Sequence, residues 1–187
     1  MTPLTSSNGR MTAEASARLI LVAGLCTLGS ATALHAQGNA EEGPWDFVEF
    51  EVKSWGAPMS SWRILPNGGG SWTEAVREEG QPPNVPAAQA WHEIEPETSN
   101  YTELEAILQR LPDPAPDSQD CENFMTDAAY GTLRMTRGAT TTEIAWNSGC
   151  LDEDYVAFMA ILKEAGEHMQ KLGKAAPVSR VEPAASR

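Results

Sequence analysis

The sequence is short of positive charge, histidine and cysteine, and each shortage narrows the classes of protein to which it can belong. Its 187 residues include 13 Lys and Arg against 26 Asp and Glu, which gives a formal net charge of −13 at pH 7. Proteins that bind nucleic acid or anionic lipid headgroups use Lys and Arg to replace phosphate counterions, so this balance argues against both partners. The charge favours basic partners or divalent cations, or it serves only to keep the protein soluble.

Residues for nucleophilic catalysis are also scarce. The chain has three histidines, and His168 is followed by Lys171 and Lys174, where positive side chains suit the last turns of a helix. His92 follows Trp91 in an acidic stretch, and as a general base it would need a nucleophile that no motif indicates. We therefore assign no catalytic residue, and a small hydrolase that uses carboxylates or His92 is the less favoured alternative.

Motifs for cofactors and metals are missing as well. The glycines at 68–70 are followed by neither a Lys-Ser/Thr pair nor a helical pattern, so they predict a tight turn instead of a phosphate-binding loop. The spacing of the acidic residues between Asp113 and Glu122 matches no calcium-binding loop that we can justify. We predict no metal ligand and no cofactor.

The longest apolar run, Leu19–Leu34, is too short to span a bilayer comfortably. It follows basic residues and ends in small ones, which is typical of a secretory signal peptide. We expect residues 1–36 to be removed after Ala36, with Ala33 as the alternative position, and the true start to be Met1 or Met11. The mature protein is then expected to be periplasmic or extracellular, without membrane association.

Removal of the signal peptide would leave Cys121 and Cys150 as the remaining cysteines. An even pair in an exported chain is most simply a disulfide. A closed loop of about thirty residues would stabilise the fold by roughly 3–4 kcal/mol in the chain-entropy treatment. A catalytic thiol at Cys150 has no motif to support it.

Hydrophobic periodicity divides the rest of the chain into strands and helices. Val48, Phe50 and Val52 alternate with charged residues, which predicts a half-buried strand. We predict one hairpin around the glycines at 68–70 and another around Gly138. Amphipathic patterns predict helices over 101–111, capped by Asn100, and over 155–172.

These elements predict an α+β fold: an antiparallel sheet of four to five strands with two helices on one face, and a weak internal hairpin–helix repeat. We expect a flexible leader at 37–44, a single domain at 45–174 and a disordered tail at 175–187. The segment 78–99 is rich in Pro and Glu and has the composition of a long connection, unless it contains a strand near 90–94.

Tryptophan is the most unusual feature. Trp45 and Trp55 share the parity of the charged residues between them, so we expect them away from the core, where with Trp72 they could form an aromatic binding strip. Trp91 and His92 lie in the 78–99 segment and would extend the contact surface. The opposing interpretation is that strand twist or this segment covers the indoles.

The sequence therefore favours an exported, non-catalytic binding protein whose partner is a protein, a peptide or a glycan. An inhibitor of an envelope or foreign hydrolase is the nearest alternative, since an acidic surface suits a basic cleft.

Overall fold

A computed structural model describes residues 43–81 and 87–183. The predicted signal peptide at 1–36 and nearly all of the predicted leader lie outside these residues. The described chain forms the strands β1 Phe47–Ser54, β2 Ala57–Ile64, β3 Gly70–Val76, β4 Ala88–Ile94, β5 Tyr130–Arg137, β6 Thr140–Asn147 and β7 Val178–Glu182. Its helices are α1 Thr98–Leu108 and α2 Glu153–Ala175, with one 3₁₀ turn at Ser118–Asp120.

The strands form one antiparallel sheet in the order β6-β5-β1-β2-β3-β4-β7. The predicted α+β class is confirmed, but the predicted four to five strands were too few, because the sheet has seven. The predicted hairpins are present as β2–β3, around the glycines at 68–70, and β5–β6, around Gly138, but β4 lies between the first hairpin and α1. The two halves differ in their number of strands.

The two additional strands are β4 and β7. β4 occupies residues 88–94 of the segment predicted as a connection, so the alternative of a strand near 90–94 is confirmed. β7 lies within the predicted disordered tail, and every one of its residues is exposed. It forms by pairing with β4, so no local hydrophobic pattern marks it.

Period-two alternation places the apolar residues of the sheet on one face, as predicted for β1. Phe50 pairs with Trp62 across β1 and β2, and its ring stacks on Trp62 at 5.4 Å and on Trp146 at 5.2 Å between centroids. α1 and α2 contact each other and bury Leu104 and Phe158 in the same core. Both helices therefore cover the inward face of the sheet.

The apolar stripe of α2 is confirmed, since Tyr155, Phe158, Leu162, Ala165 and Met169 are all buried. A long amphipathic helix of this kind derives most of its stability from burying such a face. Neither helix within residues 43–81 and 87–183 has the length and apolar character needed to cross a bilayer.

The predicted cap of α1 is wrong. The helix begins at Thr98, and its N-cap position is Glu97. Asn100 is a buried residue of the first turn whose side-chain amide donates to the carbonyl of Gly68 at 3.2 Å. Asn100 thus ties α1 to the β2–β3 turn, because a buried amide must find a partner.

Cys121 and Cys150 form the predicted disulfide, with their Cα atoms 5.7 Å apart. Asp152 occupies the N-cap position of α2, but its carboxylate makes no cap hydrogen bond within the helix. It accepts instead from the backbone amides of Glu122 at 2.8 Å and Asn123 at 3.1 Å. These bonds, with one from the Asn123 side chain, hold the pKa of Asp152 below its usual value and fasten the loop after Cys121 to α2.

Candidate binding groove

The structure does not bring Trp45, Trp55 and Trp72 together as an aromatic strip. Trp72 is 3% exposed and belongs to the core. Trp45 and Trp55 flank opposite ends of β1, an eight-residue strand whose ends are about 23 Å apart at about 3.3 Å per residue. Trp55, in the β1–β2 turn, is 77% exposed.

Trp91 and His92 are neighbours in β4 and therefore point to opposite faces of the sheet. The Trp91 ring lies on the outer face, half-buried, with the guanidinium carbon of Arg180 4.0 Å from its centroid. His92 is buried on the inner face, and its ring centroid is 5.1 Å from that of Trp72. These residues do not form one site.

Both histidines of the described chain serve as ties between elements. Nδ1 of His92 is 3.0 Å from the carbonyl oxygen of Ala176, at the end of α2, and Nε2 lies 3.7 Å from a carboxylate oxygen of Glu74. Nε2 of His168 is 3.1 Å from the carbonyl oxygen of Asn100 in α1. A carbonyl oxygen can only accept a hydrogen bond, so Nδ1 of His92 and Nε2 of His168 each carry a proton. Within the described ranges, the hydrogen bonds of His92 and His168 go to these backbone carbonyls and not to a hydroxyl or thiol.

A groove of about 620 Å³ lies between the end of α1, the segment 111–119 and strand β6. We call it the β6 groove. Its apolar lining comes from Trp45, Leu108, Leu111, Met135 and Ile144, together with the prolines at 112, 114 and 116. This volume falls within the range of clefts that bind ligands. No periodic pattern in the sequence predicts the groove, because its outer wall is an irregular Pro-rich segment.

The groove runs along the backbone edge of β6. It contacts four consecutive residues of that strand, Thr142 to Ala145, whose side chains alternate between the two faces. β6 is also the terminal strand of the sheet. The groove is therefore an open sheet edge with an apolar floor.

The ladder of β5 and β6 shows which backbone groups of β6 face outward. The amide of Ser148 donates to the carbonyl of Ala129, on the β5 side. The amide of Asn147 turns the other way and donates to the hydroxyl of Tyr155 at 2.9 Å. Hydrogen bonding alternates along an antiparallel pair, so the amides and carbonyls of Glu143 and Ala145 also point away from β5. The side chain of Ile144, between them, faces the groove.

The charge of the groove is negative. Asp113, Asp117 and Glu143 line it, and none of its lining residues is Lys or Arg. Glu143 accepts from Nε of Arg134 at 2.6 Å on the outer face, which raises the pKa of Arg134. The carboxylates of Asp113 and Asp117 have no such cation among the lining residues.

Trp45 is held at the groove by Tyr101 of α1. The Tyr101 hydroxyl accepts from the Trp45 amide at 2.8 Å and donates to the Trp45 carbonyl at 3.3 Å. Burial of this hydroxyl, with the nearby Glu105 carboxylate, raises the pKa of Tyr101 to about 12. The backbone of Trp45 is thus held by a neutral hydroxyl that makes two hydrogen bonds to it.

In residues 43–81 and 87–183, one group of three potential metal ligands has its ligand atoms within 4.8 Å of one another: Cys121, Cys150 and Asp152. Both sulfur atoms belong to the disulfide, so they are not available as thiolate ligands. Asp117 uses a side-chain oxygen to accept from the amide of Gln119 at 2.9 Å. This hydrogen bond caps the short 3₁₀ turn at Ser118–Asp120, which gives the Asp117 carboxylate a structural role.

No protein-family model matches the chain, and no curated protein matches it either.

Proposed function

We propose that this protein is an exported, non-catalytic binding protein that contacts a partner protein through the β6 groove. The observation that carries the proposal is the combination of an open strand edge, an apolar floor and a negative wall in one cleft. The disulfide is compatible with an oxidising compartment. The use of His92 and His168 as ties between elements supports a role without nucleophilic catalysis.

Of the residues suggested by the sequence, Trp45 is the one that the proposal retains as a contact residue. Trp72 and His92 are buried and act through packing. Trp55 and Trp91 lie away from the groove and are not needed for it.

Site-specific photocrosslinking tests this function in the native host. A photoreactive amino acid in place of Leu111, which lines the groove, should give a crosslinked protein that mass spectrometry identifies reproducibly. The same amino acid in place of Glu167, exposed on α2, is the control and should not capture that protein. A third probe in place of Met125, which is 53% exposed, samples the apolar residues beside the disulfide. A crosslink at Met125 but not at Leu111 would place the contact surface elsewhere.

A further inference from the structure

We propose that the partner supplies an extended segment that joins the sheet beside β6 as an additional strand, and that this segment alternates apolar residues with Lys or Arg. The inference rests on the proposed function and names the class of ligand that the β6 groove would take.

The outward backbone groups of β6 need a partner that is itself a strand. Glu143 and Ala145 present their amides and carbonyls on the same side, about 7 Å apart along the strand. An extended peptide offers donors and acceptors with the same repeat, so it can pair with both residues. A glycan has no such repeat. This geometry favours a peptide over the glycan that composition alone left open.

The groove floor sets one half of the side-chain pattern. A strand added beside β6 places every second side chain on the inner face, next to Ile144. There it would meet Leu108, Leu111 and Met135, which line the groove. Valine, isoleucine or leucine at these alternate positions would bury apolar surface that is otherwise open to water.

The acidic residues of the groove determine the other half of the side-chain pattern of the bound strand. The intervening side chain points to the outer face, opposite Glu143. The Glu143 carboxylate already accepts from Arg134, but it has a second oxygen that can pair with a cation across the strands. Asp113 and Asp117 add negative charge on the wall of the groove. A lysine or arginine between the apolar residues therefore fits, whereas an aspartate or glutamate would be repelled.

Charge also argues against two occupants of the β6 groove that this chain could itself supply. The segment 37–44 just before Trp45 carries Glu41 and Glu42 and has no Lys or Arg, so it does not complement the acidic wall. A second copy of a chain with net charge −13 is disfavoured for the same reason. The occupant is then a segment of a different, basic protein.

The test uses two synthetic eight-residue peptides, one alternating valine with lysine and one alternating valine with glutamate. Binding to the full exported protein is measured by titration calorimetry, and amide hydrogen exchange follows Glu143 and Ala145. We expect the lysine peptide to bind with a micromolar Kd and to protect both amides. The glutamate peptide should not bind.

Ala145→Pro and Ala145→Val form a matched pair at the edge. Proline removes the outward amide and leaves the β5 ladder intact, which an edge strand tolerates. It should weaken binding of the lysine peptide about tenfold or more, since a strand hydrogen bond and the close approach of the backbones are both lost. Valine keeps the amide and should bind as the wild type does. Far-UV circular dichroism checks that both variants fold.

Asp113→Asn and Glu93→Gln form a second pair, because each removes one negative charge and Glu93 is an exposed residue of β4, away from the groove. Asp113→Asn should weaken binding about twofold to fivefold, and Glu93→Gln should leave it unchanged.

Failure of the lysine peptide to bind, or undiminished binding to a folded Ala145→Pro variant, would overturn strand addition. A positive crosslink at Leu111 together with either result would leave the proposed function standing. A negative crosslink at Leu111 together with peptide protection of Ala145 would reject the natural partner but keep the strand-binding site.

Discussion

Replacement of Gly173 by alanine tests how α2 docks on the sheet. A Cβ atom at this position would lie 2.5 Å from Cβ of Trp72 and 2.7 Å from its indole carbons Cδ2 and Cε3. Real Cβ contacts are longer than this, so the helix or the indole must shift. The Trp72 ring is 3% exposed and also contacts His92, which leaves it little room to move.

The magnitude follows from two opposed effects. Overpacking in a core costs typically about 1–3 kcal/mol, and an alanine in a helix interior gains about 1 kcal/mol over glycine. Because Gly173 lies close to the end of α2 at Ala175, the propensity gain there is smaller and we expect net destabilisation of about 1–2 kcal/mol. In a domain of this size that would lower Tm by about 3–6 °C.

Gly166→Ala is the matched control in the same helix. A Cβ there meets nothing within 4 Å, so only the propensity gain remains and this variant should be more stable than the wild type by about 0.5–1 kcal/mol. Urea unfolding followed by tryptophan fluorescence and far-UV circular dichroism measures both. Equal stabilisation by the two substitutions would refute the packing of α2 against Trp72.

Three further results are expected. The double variant Cys121→Ala/Cys150→Ala should lose about 3–4 kcal/mol of unfolding free energy, since the disulfide closes a loop of about thirty residues; an unchanged urea midpoint would contradict this. Tyr101→Phe leaves two backbone groups of the groove unpaired and should cost about 1–3 kcal/mol. The raised pKa of Tyr101 also means that its contribution is complete below the ordinary pKa of about 10 and is lost as pH rises through about 12, so alkaline unfolding curves of wild type and variant should converge there. Asp152→Asn should lower Tm relative to Asp154→Asn at pH 7. Because the pKa of Asp152 is lowered in the fold, the difference should begin to shrink below the ordinary carboxyl pKa of about 4 and should be lost as pH falls through the lowered pKa. A difference that persists in stronger acid would argue against the loop tie.

Sequence analysis did not locate the candidate β6 groove, because its residues are scattered along the chain. The groove combines residues from five separate places in the chain: Trp45, the end of α1, the Pro-rich segment 111–119, Met135 of β5, and β6. No spacing rule connects these places. The tryptophans attracted attention because they are rare, yet Trp72 is a core residue and Trp55 belongs to a turn. One signal was available: the prolines at 112, 114 and 116 indicate a rigid extended segment that cannot join the sheet itself.

Local pattern determined the parts of the fold that depend only on which residues sit next to one another in the chain. The alternation in β1 and the stripe of α2 follow from burying an apolar face with period two or 3.6. The disulfide follows from an even pair of cysteines behind a predicted signal peptide. These features depend on spacing and composition, so they can be read without knowing the fold.

Tertiary structure alone decided which strand lies at the edge. The β5–β6 hairpin adds to β1 and places β6 at one edge of the sheet, and β7, whose residues are all exposed, forms the opposite edge beside β4. The sequence of β6 would show the same pattern whether or not another strand paired with its outer edge. Gly173 and Asn100 are similar cases. Each is a residue type common at helix ends, but its role here is a contact with a distant residue: Gly173 packs against Trp72, and Asn100 donates to Gly68. Pairings of this kind join residues far apart in the chain, and their energy is absent until the fold brings them together.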